Sequence, residues 1–346
     1  MKILHIHTAL KSGGIETFVT ALANEQAALG HDVTVLSIFK PNGGCWDKLS
    51  ERVQKETLSK TQTGFSIRYP LKLSRFIKKN KYDVVHVHGF IANYIWAILN
   101  NPSPRWYYTV HNDAYYEGNQ WDMRFYRLKS KWFRSGRVHP ITISQASEKS
   151  FEAYYGFAAP IIYNGIPLNA YQKTQHNKYE LITPARICSA KNLPALCEAV
   201  RQLEGFRLTL CGQIQDQTIW EEIQPYLGDK INYIGVSDNV PELMRHSGAL
   251  LLPSLWEGLP ITVLEAMWVG CIPICTAVGG IKEVIKDGQN GIIVPSPHPE
   301  SIVASIKRYE SLGESAQEKM RAEAIQTAQQ FSMTETAKQY LKQYED

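Results

Sequence analysis

Residues 253–280 read PSLWEGLPITVLEAMWVGCIPICTAVGG. A short apolar run ending at Pro253 gives way to a polar turn, Glu257-Gly258, and then to a helix-like stretch that begins at Pro260 and runs to about Val269. A second apolar run, Ile272–Cys275, follows at once. Strand, turn, helix and strand in so short a span, with strands apolar throughout, is the pattern of a parallel sheet covered by helices. Pro260 suits the first helical position, where a missing N–H costs nothing. Two acids stand out here: Glu257 at the foot of the helix and Glu265 inside it. Leu264, Ala266, Met267 and Trp268 flank Glu265, so its carboxylate needs hydrogen-bond donors to offset burial.

The same alternation extends over the whole chain. Strands are expected at Lys2–His7, Asp32–Ser37, Asp83–Val87, Arg105–Val110 and Pro140–Ile143, with helices near 15–29, 66–79, 121–134 and 145–155. After a break they recur at Glu180–Thr183, Arg207–Cys211, Ile231–Ile234, Ala249–Leu252, Ile272–Cys275 and Gly291–Val294. Strands alternating with helices twice over predict an α/β chain with two doubly wound parallel sheets. The pattern lapses in IIYNGIPLNAYQ, around Asn164-Gly165 and Pro167, which sets domains at 1–163 and 164–330. Ser332 and Glu335, at capping-box spacing, open a closing helix over 331–346, expected to pack back toward the N-terminal domain. A length of 346 residues fits two domains.

Composition narrows the class. With 44% hydrophobic and 20% charged residues, the chain is neither disordered nor collagen-like nor a disulfide scaffold. Its six cysteines form no C-x-x-C pair and read as reduced core thiols. The opening MKILHIHTAL is a poor signal-peptide core, and no apolar run reaches the ~18 residues of a membrane span, so a soluble cytoplasmic protein is expected. Charge is uneven: residues 1–165 hold 21 Lys+Arg against 12 Asp+Glu, a net +9, and the remainder 16 against 21, a net −5. The N-terminal half is therefore expected to meet an acidic surface or substrate.

Ligands of open parallel sheets gather outside the carboxyl ends of the strands, so two facing sheets would form an interdomain cleft. Four loops following strands carry unusual chemistry. In ALKSGGIETF, Gly13 and Gly14 lead into a helix whose amides suit an anion, although the G-x-G-x-x-G spacing is missing and a plain tight turn explains the pair equally well. In PARICSAKNL, Arg186 and Lys191 are either solvated charges or the two cations that a pyrophosphate demands. In EGLPITVLE, Glu257, Gly258, Leu259 and Pro260 precede helix amides that attract anions, and Glu265 is placed to accept from sugar or ribose hydroxyls. In YYTVHNDAYY, His111 ends a strand, where a lone histidine is more often structural than catalytic. His86 and His88 in VVHVHGF have an i, i+2 spacing that suits a metal, but no third ligand is identifiable.

Taken together, Gly13-Gly14, His111, the NGI at Asn164–Ile166, Arg186, Lys191 and above all the E-x7-E spacing of EGLPITVLE resemble the family-four retaining glycosyltransferases of GT-B fold. The resemblance covers essentially the whole chain and implies two Rossmann-like domains facing a cleft. It implies a nucleotide-sugar donor, with UDP preferred, held mainly by the C-terminal domain. Glu257 would contact the sugar and Glu265 the ribose, Arg186 and Lys191 would neutralise the diphosphate, and His111 would lie at the sugar–phosphate junction. The Gly13-Gly14 loop would close near the diphosphate. No D-x-D motif occurs, so neither metal nor other cofactor is expected. The implied mechanism is front-face, with the leaving phosphate as base. Two positions depart from the family: Ala185 and Asn192 stand where glycine is common.

Two basic stretches remain. Residues 121–137, WDMRFYRLKSKWFRSGR, set Trp121, Phe125, Leu128 and Trp132 on one stripe and Arg124, Arg127, Lys131 and Arg134 on another. Residues 68–81 carry six cations and no acid. Either the apolar stripes face a core and the cations are solvated, or the segments meet an anionic membrane. With the resemblance, the expected activity is transfer of a hexosyl or N-acetylhexosaminyl group to a saccharide, expected to be lipid-linked, in surface-polysaccharide synthesis, with no nucleic-acid role. The rivals are a nucleotide-sugar epimerase of the same fold and a catalytically inactive nucleotide-sugar-binding protein.

Overall fold

The computed structural model describes residues 1–41, 43–61, 66, 68–89, 94–117, 125–168 and 176–345. It divides into two compact units, Met1–Gly165 with Met333–Asp346, and Ile166–Ser332. The first boundary therefore falls two residues later than Asn164-Gly165 suggests.

In unit 1 the elements run β1 (Lys2–His7), α1 (Gly14–Ala28), β2 (Asp32–Phe39), β3 (Gln54–Lys60), α2 (Arg68–Asn80), β4 (Val84–His88), α3 (Ile95–Asn100), β5 (Arg105–Val110), α4 (Tyr126–Arg134), β6 (His139–Thr142) and α5 (Gln145–Tyr155). All pairings are parallel, in the order β3-β2-β1-β4-β5-β6. The edge strand β3 has no counterpart among the expected strands. Its sequence, QKETLSK, buries only Leu58, and a strand paired on one side needs no apolar alternation. The helix expected over 121–134 is present as α4, its first residues, 121–124, lying outside the described ones. Ile6, Leu36, Val85, Trp106 and Phe151 centre the core of this unit.

Unit 2 repeats the plan with β7 (Asn177–Pro184), α6 (Leu193–Arg201), β8 (Arg207–Cys211), α7 (Gln217–Ile223), β9 (Ile231–Tyr233), α8 (Val240–His246), β10 (Ser247–Leu252), α9 (Ile261–Trp268), β11 (Ile272–Thr276), α10 (Ile281–Val284), β12 (Ile292–Val294), α11 (Pro299–Ser311) and α12 (Glu314–Gln329). Its sheet order, β12-β11-β10-β7-β8-β9, is the same doubly wound arrangement. Leu181, Leu208, Leu251, Ile274 and Ile306 form its centre. All six cysteines are free thiols, and five of them are buried.

The final helix, α13 (Met333–Glu345), belongs to unit 1. Tyr340 and Tyr344 are fully buried. Tyr344 Oη bonds to His86 Nδ1, Tyr340 Oη lies 3.1 Å from Thr109 Oγ1, and the Tyr107 hydroxyl donates to the Gln343 carbonyl at 2.7 Å. The helix thereby closes over buried polar groups of the sheet. Among these are His5 on β1 and its register partner His86 on β4, together with His88, all without solvent exposure.

Two outcomes follow for stability. Tyr344→Phe strips His86 Nδ1 of its partner and is expected to cost about 1–3 kcal/mol in urea unfolding. Burial pushes His5 down to about 4 and holds His86 and His88 well below the ordinary histidine range. The unfolded chain therefore binds more protons below about pH 6.5, its histidines having their ordinary pKa. Stability is complete above that pH and is lost progressively as pH falls toward 4. Urea midpoints should drop steadily from pH 7 to pH 5, and a flat profile would contradict the burial of neutral histidines.

Candidate functional site

The strand order of unit 2 reverses between β10 and β7, and a doubly wound sheet opens a crevice outside the carboxyl ends of such a strand pair. The two loops that leave those ends carry Arg186 and Lys191 after β7, and Glu257 after β10. A backbone bond ties the loops together, the Leu255 N–H donating to the Ala190 carbonyl at 2.8 Å, and the Ala185 N–H holds the start of the first loop to the end of β8 through the Cys211 carbonyl at 2.8 Å. Lys191 ends a single 3-10 turn, Ser189–Lys191. Asn192 then adopts a left-handed conformation, φ 54° and ψ 39°. Asparagine tolerates that region better than most residues, so Asn192 can take the place where the family resemblance leads one to expect glycine. Its amide donates to the Pro297 carbonyl at 2.7 Å.

The two glutamates of EGLPITVLE occupy different environments. Glu257 Oε1 accepts from Lys191 Nζ at 2.5 Å and from Ser254 Oγ at 2.6 Å. The ion pair is largely withdrawn from solvent, with side-chain exposures of 13% for Lys191 and 9% for Glu257. Beneath it, the Gly280 N–H donates to the Gly258 carbonyl at 2.6 Å. Gly279, at φ +54°, passes so close that a Cβ there would stand 1.9 Å from the Glu257 carbonyl oxygen. The AVGG segment is thus the floor of the Glu257 turn. Leu259 is buried and anchors the turn to the core. Pro260 is the N-cap of α9, not its first helical residue, with ψ at 120°, and the Val263 N–H reaches back to its carbonyl at 3.1 Å. Glu265 is half-buried in the second turn of α9. Arg186 is exposed and pairs with no described residue. The structure therefore gathers Lys191, Glu257, Gly258, Leu259 and Pro260 in one place, with Arg186 nearer the start of the loop that carries Lys191 and Glu265 on the helix that follows Pro260.

In unit 1, α1 starts at Gly14, with Gly13 extended before it. The carboxylate of Glu16 lies where a Cβ on Gly13 would stand, 2.4 Å from that position, so the chain already sets an acid beside this helix start. His111 follows β5. Its backbone N–H donates to Glu117 Oε1 at 2.6 Å, and its ring Nε2 lies 3.1 Å from His88 Nδ1. Burial, reinforced by His7, pushes the His111 ring down to about 3, so it is neutral at physiological pH.

His5 is the third histidine that the reading of His86 and His88 lacks: one nitrogen of each lies within 4.8 Å of the others. Every ring nitrogen of the three already has a protein partner, in Gln26, Thr109, Tyr344, His111 or one another. The donor set is thus spent on hydrogen bonds that a metal would have to displace. The repeated spacing in LHIH (residues 4–7) and VHVH (residues 85–88) was the available signal, because β1 and β4 are neighbours in this strand order.

Both basic stretches have one face in the core. In α2, Leu73 and Ile77 are buried while Arg68, Lys72, Arg75, Lys78 and Lys79 are exposed. In α4, Trp132 is buried and Arg127, Lys131 and Arg134 are exposed. Lys129 instead turns inward, its Nζ 5.4 Å from the Tyr108 ring centre and 5.8 Å from that of Tyr155. No helix among the described residues is long and apolar enough to cross a membrane.

Comparison with known proteins agrees with this geometry. The family described as Glycosyltransferase Family 4 matches residues 12–170, and Glycosyl transferases group 1 matches residues 169–331. A Campylobacter jejuni α-1,4-N-acetyl-D-galactosaminyltransferase, named for a diNAcBac-PP-undecaprenol substrate, is 24% identical and aligns over 99% of this chain and 98% of its own. An Escherichia coli UDP-Gal:α-D-GlcNAc-diphosphoundecaprenol α-1,3-galactosyltransferase is 21% identical over 89% of this chain and 87% of its own. Anabaena HepE, solved with UDP and glucose, superimposes with a TM-score of 0.84 over all of both chains at 17% identity, and sucrose-phosphate synthase from Thermosynechococcus elongatus with 0.83 at 16%, over 100% of this chain and 98% of its own. With two doubly wound domains in the GT-B architecture and consecutive family matches that together reach from residue 12 to residue 331, the chain belongs to the group 1 glycosyltransferases of the family-four type.

Proposed function

We propose that this glycosyltransferase moves a hexosyl or N-acetylhexosaminyl group from a UDP-sugar to a lipid-linked saccharide in the assembly of a surface polysaccharide, with retention at the anomeric carbon and without a metal ion. The observation that carries this reading is the Lys191–Glu257 ion pair at the strand reversal of unit 2, with Arg186, exposed and paired with no described residue, on the same loop as Lys191. Two cations on one loop answer the two charges of a diphosphate, the guanidinium by bidentate hydrogen bonds and the ammonium as a point charge. The names of the Campylobacter and Escherichia relatives support an acceptor on an undecaprenyl diphosphate carrier, and that of the second supports UDP.

In the proposed reaction the acceptor hydroxyl oxygen bonds to the anomeric carbon as the bond from that carbon to the diphosphate breaks. The hydroxyl proton passes to the departing phosphate oxygen, so no protein base is required. Arg186 and Lys191 offset the charge that develops on the leaving group, the part that a metal ion takes in enzymes with a D-x-D motif. Glu257, fixed from behind by Ser254, accepts from hydroxyls of the sugar, and Glu265 accepts from the ribose. The Gly13-Gly14 loop closes near the diphosphate once the Glu16 carboxylate beside it turns aside, and His111 meets a hydroxyl of the sugar. The exposed cations of α2 and α4 attract the anionic membrane that carries the acceptor.

Lys191→Ala and Glu265→Ala are each expected to reduce transfer from a UDP-sugar by at least about a hundredfold, the scale of a lost charge-stabilising contact, while far-ultraviolet circular dichroism stays unchanged. Full activity in either variant contradicts the assignment, and conversion of the donor with no acceptor present would favour an epimerase. Reversing charge at Arg127 and Lys131 should weaken co-sedimentation with phosphatidylserine vesicles, most visibly at low salt. Unchanged binding would remove the membrane contact from the proposal.

A further inference from the structure

Four polar side chains of unit 1 form a line from α1 to the carboxyl end of β5. Gln26 Oε1 lies 2.7 Å from His5 Nε2, His5 Nδ1 lies 3.0 Å from His88 Nε2, and His88 Nδ1 lies 3.1 Å from His111 Nε2. The first three residues are fully buried and His111 is 7% exposed. Phe18 covers the far end, its ring centre 5.5 Å from that of His111 and 6.2 Å from that of His88.

Hydrogen-bond chemistry gives this line a direction. An amide oxygen only accepts, so His5 donates from Nε2. Burial keeps the rings neutral, with His5 pushed down to about 4 and His111 to about 3, and a neutral imidazole has a single N–H. His5 Nδ1 therefore accepts from His88 Nε2, and His88 Nδ1 accepts from His111 Nε2. His111 is left with an unprotonated Nδ1, and no described residue bonds to that atom. Gln26 Nε2, at the other end, is buried near the Tyr344 hydroxyl without meeting it in hydrogen-bond geometry. Turning that one amide over would place an N–H on His5, reverse all three tautomers and present an Nδ1–H at His111.

We propose that Gln26, acting through His5 and His88, is a positioning residue that holds His111 in its Nε2–H tautomer, so that His111 Nδ1 accepts a hydrogen bond from a hydroxyl of the donor sugar. This rests on the reading above that His111 meets the sugar. The line selects for a donating hydroxyl and against a group at that point that only accepts, since two lone pairs facing each other leave both unsatisfied. Specificity at the sugar would then depend on a glutamine that never touches it.

The test is long-range 1H–15N correlation spectroscopy on the full-length protein labelled with 15N-histidine, which reports the protonated nitrogen of each ring. His5, His88 and His111 are all expected as Nε2–H, and an Nδ1–H form at any of them in the wild-type protein overturns the relay. Gln26→Met removes the acceptor at similar length. It is expected to let Nδ1–H His111 appear and to lower kcat/KM about tenfold for the donor that turns over among UDP-glucose, UDP-galactose and their N-acetylated forms, with acceptor KM unchanged. A folded Gln26→Met with the wild-type His111 tautomer overturns the proposal, and if the variant does not fold the wild-type spectrum alone decides. Reversed tautomers with unchanged donor kinetics would support the relay and refute the sugar contact, so the two failures are read separately.

Discussion

A parallel strand cannot pair with its successor without a crossover, and right-handed crossovers send every strand-to-helix loop to the same edge of the sheet. The rest of this molecule depends on that constraint. In unit 2 it brings the loop after β7 beside the loop after β10, although 66 positions of sequence separate Lys191 from Glu257. In unit 1 it lays β1 beside β4 and β4 beside β5, so that His5, His88 and His111 fall into hydrogen-bonding order. Neither arrangement needs sequence proximity. Both need the strand order and apolar strands that stay buried on both faces.

This explains what was legible from residues alone. Apolar strand runs announce themselves, because a strand covered on both faces is predominantly apolar, and KILHIH, RLTLC and IPICT all sit where their composition places them. The polar edge strand β3 did not announce itself, because an edge obeys no such rule. The chemical residues were visible as oddities: charges next to turns, and acids in apolar company. Their partners were not. Nothing in EGLPITVLE says that Glu257 faces Lys191, and the shared spacing of LHIH and VHVH becomes a cluster of His5, His86 and His88 only once the strand order sets β1 beside β4, because both facts belong to tertiary order. Asn192 is the reverse case, a departure from the family pattern that its left-handed backbone makes intelligible.

The Lys191–Glu257 pair also shows why the site holds its shape. Each charge is withdrawn from water, and an isolated charge there would be costly. Paired, with Ser254 donating a further hydrogen bond to the carboxylate, they offset one another and fix both loops before any ligand arrives. A ligand that presents negative charge to Lys191 and hydroxyl donors to Glu257 relieves the same desolvation from both sides. A sugar joined to a diphosphate is such a ligand. Phosphate alone would satisfy the lysine and leave the glutamate facing another anion; a sugar alone would do the converse. In the proposed reading the pair would thereby favour the intact nucleotide sugar over either fragment, which is the discrimination that a transferase needs when its donor must be whole on arrival and divided on departure.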